Sequence, residues 1–171
     1  MIYVANAVGV LAVALFVLSY QQKTRKGIVI CNAVSRALYV AQYALLGAFE
    51  GAVLDVLGVF ASVLAQKKNS GFVKKHLKLV IVVVDFVIVT AGICLYENIY
   101  SLLPIAGVLL HTGAFWIDDE KKIRKVSFLG SPFWLVYNLV SRAYGSAVGD
   151  VMTMVSIGLA ILRYDIKKSN N

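Results

Sequence analysis

The sequence predicts an all-α polytopic membrane protein with seven transmembrane helices, arranged as two three-helix bundles and a linker helix in a 3+1+3 plan of parallel repeats. Three observations support this prediction: seven apolar segments, cations confined to alternate gaps, and an offset of 95 positions that relates the two halves. Hydrophobic residues make up 60% of the chain and charged residues 15%, whereas soluble proteins have about half and about a quarter.

The apolar segments are each close to the roughly 20 residues that a helix needs to cross a bilayer. They comprise Ile2–Leu18, Ile28–Leu46, Gly51–Leu64, Leu79–Leu95, Ile99–Ile117, Val126–Tyr144 and Ser146–Leu162. The longest gap, Gln66–Lys78, is too short for a separate soluble domain. We expect one membrane domain over residues 1–171, divided into a first bundle (1–68), a linker helix (77–97) and a second bundle (98–168).

Positively charged residues lie almost entirely in alternate gaps between the apolar segments. Of the 17 Lys and Arg residues, 15 follow the odd-numbered segments, whereas the other gaps carry Glu50, Glu97 and Asp150. Because cytoplasmic loops keep the cations, the N-terminus is expected outside and the C-terminus in the cytoplasm. Arg36 inside the second segment and Arg142 at the outer end of the sixth are the exceptions. The net charge of +8 therefore indicates topology and contact with anionic lipid, not with nucleic acid.

The two halves share a layout and align at an offset of 95 positions. This offset aligns Asp55 with Asp150 and Tyr39 with Trp134 in the sequence. An odd linker helix lets two three-helix units insert in the same orientation, so the repeats are parallel and related by an axis along the membrane normal. Transporters built in this way bind their substrate near the midplane, between the repeats.

Several short runs resemble the YgjV family of bacterial inner-membrane proteins. The run Ser131–Asn138, followed by Gly145–Asp150 and Arg163, resembles the C-terminal half of that family, and Ser19–Gln21 resembles its first cytoplasmic turn. The resemblance implies a multi-pass protein of the bacterial inner membrane with SWEET/PQ-loop-like triple-helix bundles, and it implies no activity. Neither half contains a Pro-Gln pair, so the sugar or amino-acid substrates of PQ-loop proteins do not carry over.

The second segment of each half carries a polar and aromatic stripe at helical spacing. In the first half the stripe consists of Asn32, Arg36, Tyr39 and Tyr43, and its counterparts are Ser127, Ser131, Trp134 and Asn138. We expect a central cavity whose solute contacts Arg36, Tyr39, Trp134 and Asn138. Trp and Tyr offer flat faces to a sugar-like or heteroaromatic ligand, and Asn offers a donor and an acceptor. Packing between helices is the alternative role for Asn32, Tyr43 and Ser127.

Arg36 lies too deep in its segment to reach the cytoplasm, so it needs a partner. Asp85, midway along the linker segment, is the partner favoured by depth, and Asp55 is disfavoured because it lies nearer the outer face. The pair could fasten the linker to the first bundle. Alternatively, the guanidinium could bind an anion or a carboxylate, because its fork suits oxyanions.

Four other polar or helix-breaking positions lie within the apolar segments. His111 could couple transport to protons or could be a neutral packing residue. Pro104 removes a backbone hydrogen bond, so it is a candidate gating hinge or a tolerated kink. Asp55 and Asp150 are expected to stabilise the N-termini of their helices.

The leading hypothesis for function is a small-solute membrane transporter or facilitator that works by alternating access, with an unidentified substrate. The alternative is a non-transporting membrane receptor or accessory subunit of the same fold. Catalysis is not expected, because no carboxylate pair, activated nucleophile or metal cluster converges at one depth. No cofactor or metal ion is expected. The expected partners are the lipid bilayer and a small-molecule solute, and the oligomeric state is left open.

Overall fold

The computed structural model of the protein describes residues 2–47, 49–96, 98–140 and 144–166, and the regular structure of those residues is entirely helical. The α-helices are α1 (Ile2–Tyr20), α2 (Arg25–Leu46), α3 (Phe49–Gln66), α4 (Gly71–Lys75), α5 (Leu77–Cys94), α6 (Leu102–Phe115), α7 (Glu120–Val140) and α8 (Tyr144–Ala160). A 3₁₀ turn, Ile99–Ser101, precedes α6, and a π-helical turn, Ile161–Ile166, extends α8.

Four described helical stretches are long and apolar enough to cross a membrane. They are Tyr3–Tyr20, Arg25–Leu45, Leu77–Cys94 and Ser146–Ile166, and two shorter apolar stretches are Gly51–Gln66 and Ile99–Phe115. The predicted all-helical fold is therefore confirmed for the described residues, with four candidate membrane spans, whereas seven spans in a 3+1+3 plan stay a prediction. Charges near its start and polar residues along one face make α7 less apolar than the other long helices.

Two predicted boundaries are wrong, and both errors concern charged residues. The gap Gln66–Lys78 is not a plain loop, because it contains the short helix α4. The sixth segment was expected to begin at Val126, but α7 begins at Glu120. Its charged start is stable partly because Arg124 is buried and pairs with Asp165 at 2.6 Å. Arg142 lies outside the described residues.

Consecutive long helices pack against each other within each half of the chain. Helix α2 packs between α1 and α3, and α7 packs between α6 and α8. The halves meet where α1 contacts α8 and where α3 contacts α6. Six helices therefore surround a common centre, and α5 lies outside them against α3 and α6. Exposed apolar side chains of α5, including Phe86 and Val82, face away from the other helices.

One end of the six-helix arrangement, where the cation-rich gaps lie, is here called the basic end. An apolar cluster fills it between α1, α2, α6 and α7, and its largest members are Tyr20, Ile28, Phe115 and Ile123. Arg25 of α2 donates to the backbone carbonyls of Ala65 and Ile117, at 2.7 and 2.9 Å. Buried apolar packing and these hydrogen bonds close the basic end.

Lys68 adds a second connection at the basic end. Its ammonium donates to the carbonyl of Trp116 at 2.6 Å and pairs with Asp118 at 2.6 Å. Lys68 is buried, whereas the Asp118 side chain is 80% exposed. The end of the first half is thereby attached to the end of α6, the first long helix of the second half.

Candidate functional site

A cavity of about 40 Å³ lies at the centre of the six helices. It is lined by Phe16, Arg36, Tyr39, Tyr43, Asp55, His111, Trp134, Asn138, Ser146 and Asp150. These residues come from α1, α2 and α3 of the first half and from α6, α7 and α8 of the second. A cavity of this size holds two or three water molecules, because one needs roughly 10–15 Å³.

Arg36 is the cation of the cavity, and its partner is Asp55. The two side chains are 3% and 6% exposed, and Nη1 of Arg36 lies 2.7 Å from Oδ1 of Asp55. The prediction that Asp85 is the partner of Arg36 is wrong. Helix α3 packs directly on α2, whereas α5 lies outside the six helices, so equal depth does not bring Asp85 near Arg36.

The guanidinium of Arg36 is held in several directions. Its Nε donates to Oδ1 of Asn32 at 3.0 Å, and Nη2 lies 3.4 Å from Nδ1 of His111. It also lies over the ring of Phe16, with 6.0 Å from Cζ to the ring centroid. A glycine, Gly58, makes room for it, since a Cβ there would stand 2.8 Å from Nη1.

His111 is buried, and its two neighbours define its hydrogen-bonding state. Nε2 lies 2.9 Å from the carbonyl oxygen of Ser127, which only accepts, so Nε2 carries the proton. Nδ1 faces Nη2 of Arg36, which only donates, so Nδ1 is the acceptor. These contacts favour a neutral imidazole that connects α2 to α6 and α7. Proton coupling by His111 stays a prediction.

Asp150 has no such cation beside it. Its Oδ2 accepts a hydrogen bond of 2.7 Å from Nδ2 of Asn138, and none of the ion pairs among the described residues includes it. The expected helix-terminus role is wrong for both cavity acids. Asp55 and Asp150 lie beyond the first turns of α3 and α8, where side chains no longer reach the free backbone N–H groups.

Aromatic rings form much of the cavity wall. Tyr39 and Tyr43 of α2 stack with 6.0 Å between ring centroids. Trp134 is 8% exposed and packs on Gly107, where a Cβ would stand 2.6 Å from its ring. Phe16 lies 5.8 Å from the His111 ring, centroid to centroid. The cavity thus combines flat apolar faces with two carboxylates and one guanidinium.

The four residues predicted to contact the solute, Arg36, Tyr39, Trp134 and Asn138, do line one cavity. Their role in binding stays a prediction. Residue-by-residue reasoning missed Phe16, Ser146 and the cavity position of Asp150. The alignment of the two halves could have indicated Phe16, because the offset of 95 aligns Phe16 with His111.

Two other predicted residues lie away from the cavity lining. Asp85 lies on α5, and its Oδ1 is buried without a hydrogen-bond partner among the described residues. Pro104 lies in the first turn of α6, where backbone N–H groups have no partner within the helix. Pro104 therefore does not break the middle of a helix. The proline inside a helix is Pro132 of α7.

Within the described residues, no group of three or more His, Cys, Asp or Glu side chains could hold a metal ion. Cys31 and Cys94 are both free. The groups that line the cavity can bind a small ligand by charge, hydrogen bonds and aromatic faces.

Comparison with known proteins gives one match. The model of the family Imp-YgjV, described as a bacterial inner membrane protein, matches residues 3–168. No curated protein and no solved structure matches the chain. The family match covers nearly the whole sequence and confirms the resemblance carried by the Ser131–Asn138 run.

Proposed function

The chain belongs to the YgjV family of bacterial inner-membrane proteins, and from that premise we propose that it is a small-solute carrier that works by alternating access. The observation that supports this most directly is the central cavity, which both halves of the chain line. Carriers built from repeats hold their substrate at such a junction, because movement of one half against the other then exposes it to either side.

The proposal includes the 3+1+3 plan, with α1–α3 and α6–α8 as the two units and α5 as the linker. Matched positions of the two units support it. Four pairs at the offset of 95 line the same cavity: Phe16 with His111, Tyr39 with Trp134, Tyr43 with Asn138, and Asp55 with Asp150. Two parallel repeats that face each other across an axis would place matched residues at equal depth.

Contacts beside the cavity are matched in the same way. Trp134 packs with Leu54 and Val108 in an apolar cluster. The counterparts of Trp134, Leu54 and Val108 at the offset of 95 are Tyr39, Gly149 and Val13. Gly149 lies against Val13 and close to the hydroxyl of Tyr39. Matched neighbours are expected where two copies of one unit pack against each other.

The closed basic end supports a carrier rather than an open channel. Arg25, Lys68 and the apolar cluster around Phe115 connect the two halves there. Alternating access requires that such contacts break when the carrier changes conformation, and hydrogen bonds from charged donors contribute only about 1.5–3 kcal/mol each.

Cysteine accessibility tests the proposal without a known substrate. Ser146→Cys, in a protein also carrying Cys31→Ala and Cys94→Ala, introduces one thiol at the cavity. In a carrier, a membrane-impermeant thiol reagent is expected to modify it from either side of the membrane, in right-side-out and in inverted vesicles. Modification from one side alone would contradict alternating access and favour the receptor hypothesis.

Two matched variants control this experiment. Ser70→Cys, in the same background, introduces a thiol at an exposed position between α3 and α4, so it is expected to react from one side only. Arg25→Ala removes the hydrogen bonds to Ala65 and Ile117, so it is expected to speed modification of the Ser146→Cys thiol from the basic end. An unchanged rate would show that these contacts do not gate the cavity.

A further inference from the structure

The charges around the cavity indicate what it binds: we infer that its ligand is a small organic ammonium ion, held by the carboxylate of Asp150 and by the faces of Tyr39, Tyr43 and Trp134. This inference deepens the proposed carrier function, since it names the substrate class of the same cavity. It rests on four observations: the charge balance, the saturated contacts of Arg36, the aromatic wall and the size of the cavity.

The first observation is an unequal charge balance. The cavity is lined by two carboxylates, Asp55 and Asp150, and by one guanidinium, that of Arg36. Arg36 pairs with Asp55 at 2.7 Å, and His111 is held as a neutral imidazole. Among the described residues, the hydrogen-bond donor to the Asp150 carboxylate is the amide of Asn138. Asp150 is partly buried, so its carboxylate is less hydrated than in bulk water, and a bound cation would stabilise it.

The second observation explains why the ligand is not an anion. Each of the three nitrogens of Arg36 already has a partner within the protein: Asn32, Asp55 and His111. Its charge is neutralised by Asp55, and the Gly58 backbone confines it. An anion would have to displace Asp55 and approach Asp150, and like charges repel strongly in such surroundings.

The third observation is the aromatic wall. Tyr39 and Tyr43 are stacked, and Trp134 lines the same cavity. The negative face of an aromatic ring attracts an alkylammonium group, by about 2 kcal/mol or more where water is excluded. A metal ion fits less well, because no group of three or more His, Cys, Asp or Glu side chains exists among the described residues. An ammonium ion instead brings its own N–H donors to the Asp150 carboxylate, which has no cation partner in the part of the chain that the structure describes.

The fourth observation is size. A volume of about 40 Å³ has room for two or three water molecules at roughly 10–15 Å³ each, and methylammonium, with two non-hydrogen atoms, suits a space of that size. Larger ammonium ions such as choline would require the rings to move apart. Affinity is therefore expected to fall as alkyl groups are added.

Binding is measured on the purified protein in detergent, where no flux is needed. The probe is methylammonium chloride, and the readouts are tryptophan fluorescence and thermal stability at constant ionic strength, with sodium chloride as the balancing salt. Methanol, an uncharged molecule of similar size, is the ligand control. We expect a saturable fluorescence change and a rise in melting temperature with methylammonium, and neither with methanol. Equal responses to both, or to neither, would overturn the inference.

Three variants assign the site. Asp150→Asn keeps the shape and removes the charge, so it is expected to weaken methylammonium binding at least about tenfold, which corresponds to 1.4 kcal/mol. Asp150→Glu keeps the charge and is expected to retain binding. Asp119→Asn, at an exposed position of the basic end, is expected to bind like the unaltered protein. Undiminished binding in a folded Asp150→Asn protein would overturn the inference.

The remaining outcomes separate this inference from the carrier proposal. A fluorescence change that follows pH and depends on Asp150, without any effect of methylammonium, would identify a proton as the occupant and overturn the ammonium assignment. Binding that depends on Asp150, without methylammonium uptake into proteoliposomes, would support the site and contradict the carrier. Uptake that survives Asp150→Asn would leave the carrier proposal intact and contradict this inference.

Discussion

Two acids at matched positions of the halves have different surroundings. Asp55 of α3 is almost fully buried and pairs with Arg36. Asp150 of α8, at an offset of 95, meets the neutral amide of Asn138. The counterpart of Arg36 in the second half is Ser131, whose hydroxyl donates to the Ser127 carbonyl at 3.2 Å. One acid is therefore compensated within the protein, and the other is available to a ligand.

In the proposed repeat arrangement, this difference assigns different roles to the two halves within one cavity. Arg36 of the first half is the centre of a hydrogen-bonded network that connects α2 to α3 and, across the two halves, to α6. The second half provides Asp150, an acid without a cation partner among the described residues. If the comparison is correct, variants of the first half should mainly change stability, and variants of Asp150 should mainly change binding.

The largest effect is expected from Arg36→Leu. It leaves Asp55 buried without its cation and removes the hydrogen bonds to Asn32 and His111. Breaking a buried pair from one side costs about 3–5 kcal/mol. The free energy of unfolding in detergent, followed by loss of helical circular dichroism, is expected to fall by about that amount.

The double variant Arg36→Leu with Asp55→Leu controls the first prediction. Removing both charges leaves no unpaired ion, so part of the lost stability should return. If the loss of unfolding free energy in the double variant equals the sum of the losses in the two single variants, the ion pair is not the main source of the effect.

The second prediction compares the two acids directly through Asp55→Asn and Asp150→Asn. Asp55→Asn leaves Arg36 without a counter-charge, so the unfolding free energy is expected to fall by about 3 kcal/mol. Asp150→Asn removes a charge that has no cation beside it, so stability is expected to stay unchanged or to rise. Equal losses in both variants, measured by thermal unfolding in the same detergent, would refute the comparison.

The third prediction concerns the room left for the guanidinium. Gly58→Ala places a Cβ 2.8 Å from Nη1 of Arg36, so it is expected to cost about 1–2 kcal/mol through overpacking. Gly158→Ala in α8 is the matched control, because nothing lies within 4 Å of its Cβ position. Alanine is the better helix former, so this control is expected to be neutral or slightly stabilising. Thermal unfolding distinguishes the two.

The smallest effect is expected at the basic end, away from both acids. The hydrogen bond from Lys68 lowers the pKa of Asp118 below its ordinary 3.8. A lowered pKa means that the pair stabilises the fold at neutral pH and that this contribution is lost as pH falls through the lowered value. The Asp118 side chain is mostly exposed, so Asp118→Asn should cost less than about 1 kcal/mol. Unfolding curves of the variant and of the unaltered protein should differ at neutral pH and converge at acid pH.

Most of the helical segments could be predicted from apolar runs alone. Helices α1, α2, α3 and α5 begin and end within a few residues of the expected segments. The start of α7 could not be predicted in this way, because hydropathy treats Arg124 as a loop residue. Its pairing with Asp165 offsets the cost of burial, and that partner lies far away in the sequence.

The site could be predicted only in part, because contacts between different helices cannot be read from one segment. The helical spacing of Arg36, Tyr39 and Tyr43 placed them on one face, which is a property of a single helix. The choice between Asp55 and Asp85 depended on which helix packs beside α2, and depth along a segment does not determine that.

The sequence by itself determined the helical membrane character, the stripes on α2 and α7, and the matched positions of Asp55 and Asp150. These follow from local properties, namely hydropathy, charge and helical period. Only the tertiary structure decided that Arg36 pairs with Asp55 and that Asp150 has no cation among the described residues. The physical reason is that an ion pair depends on distances of a few ångströms between side chains of different helices, and those distances are set by packing.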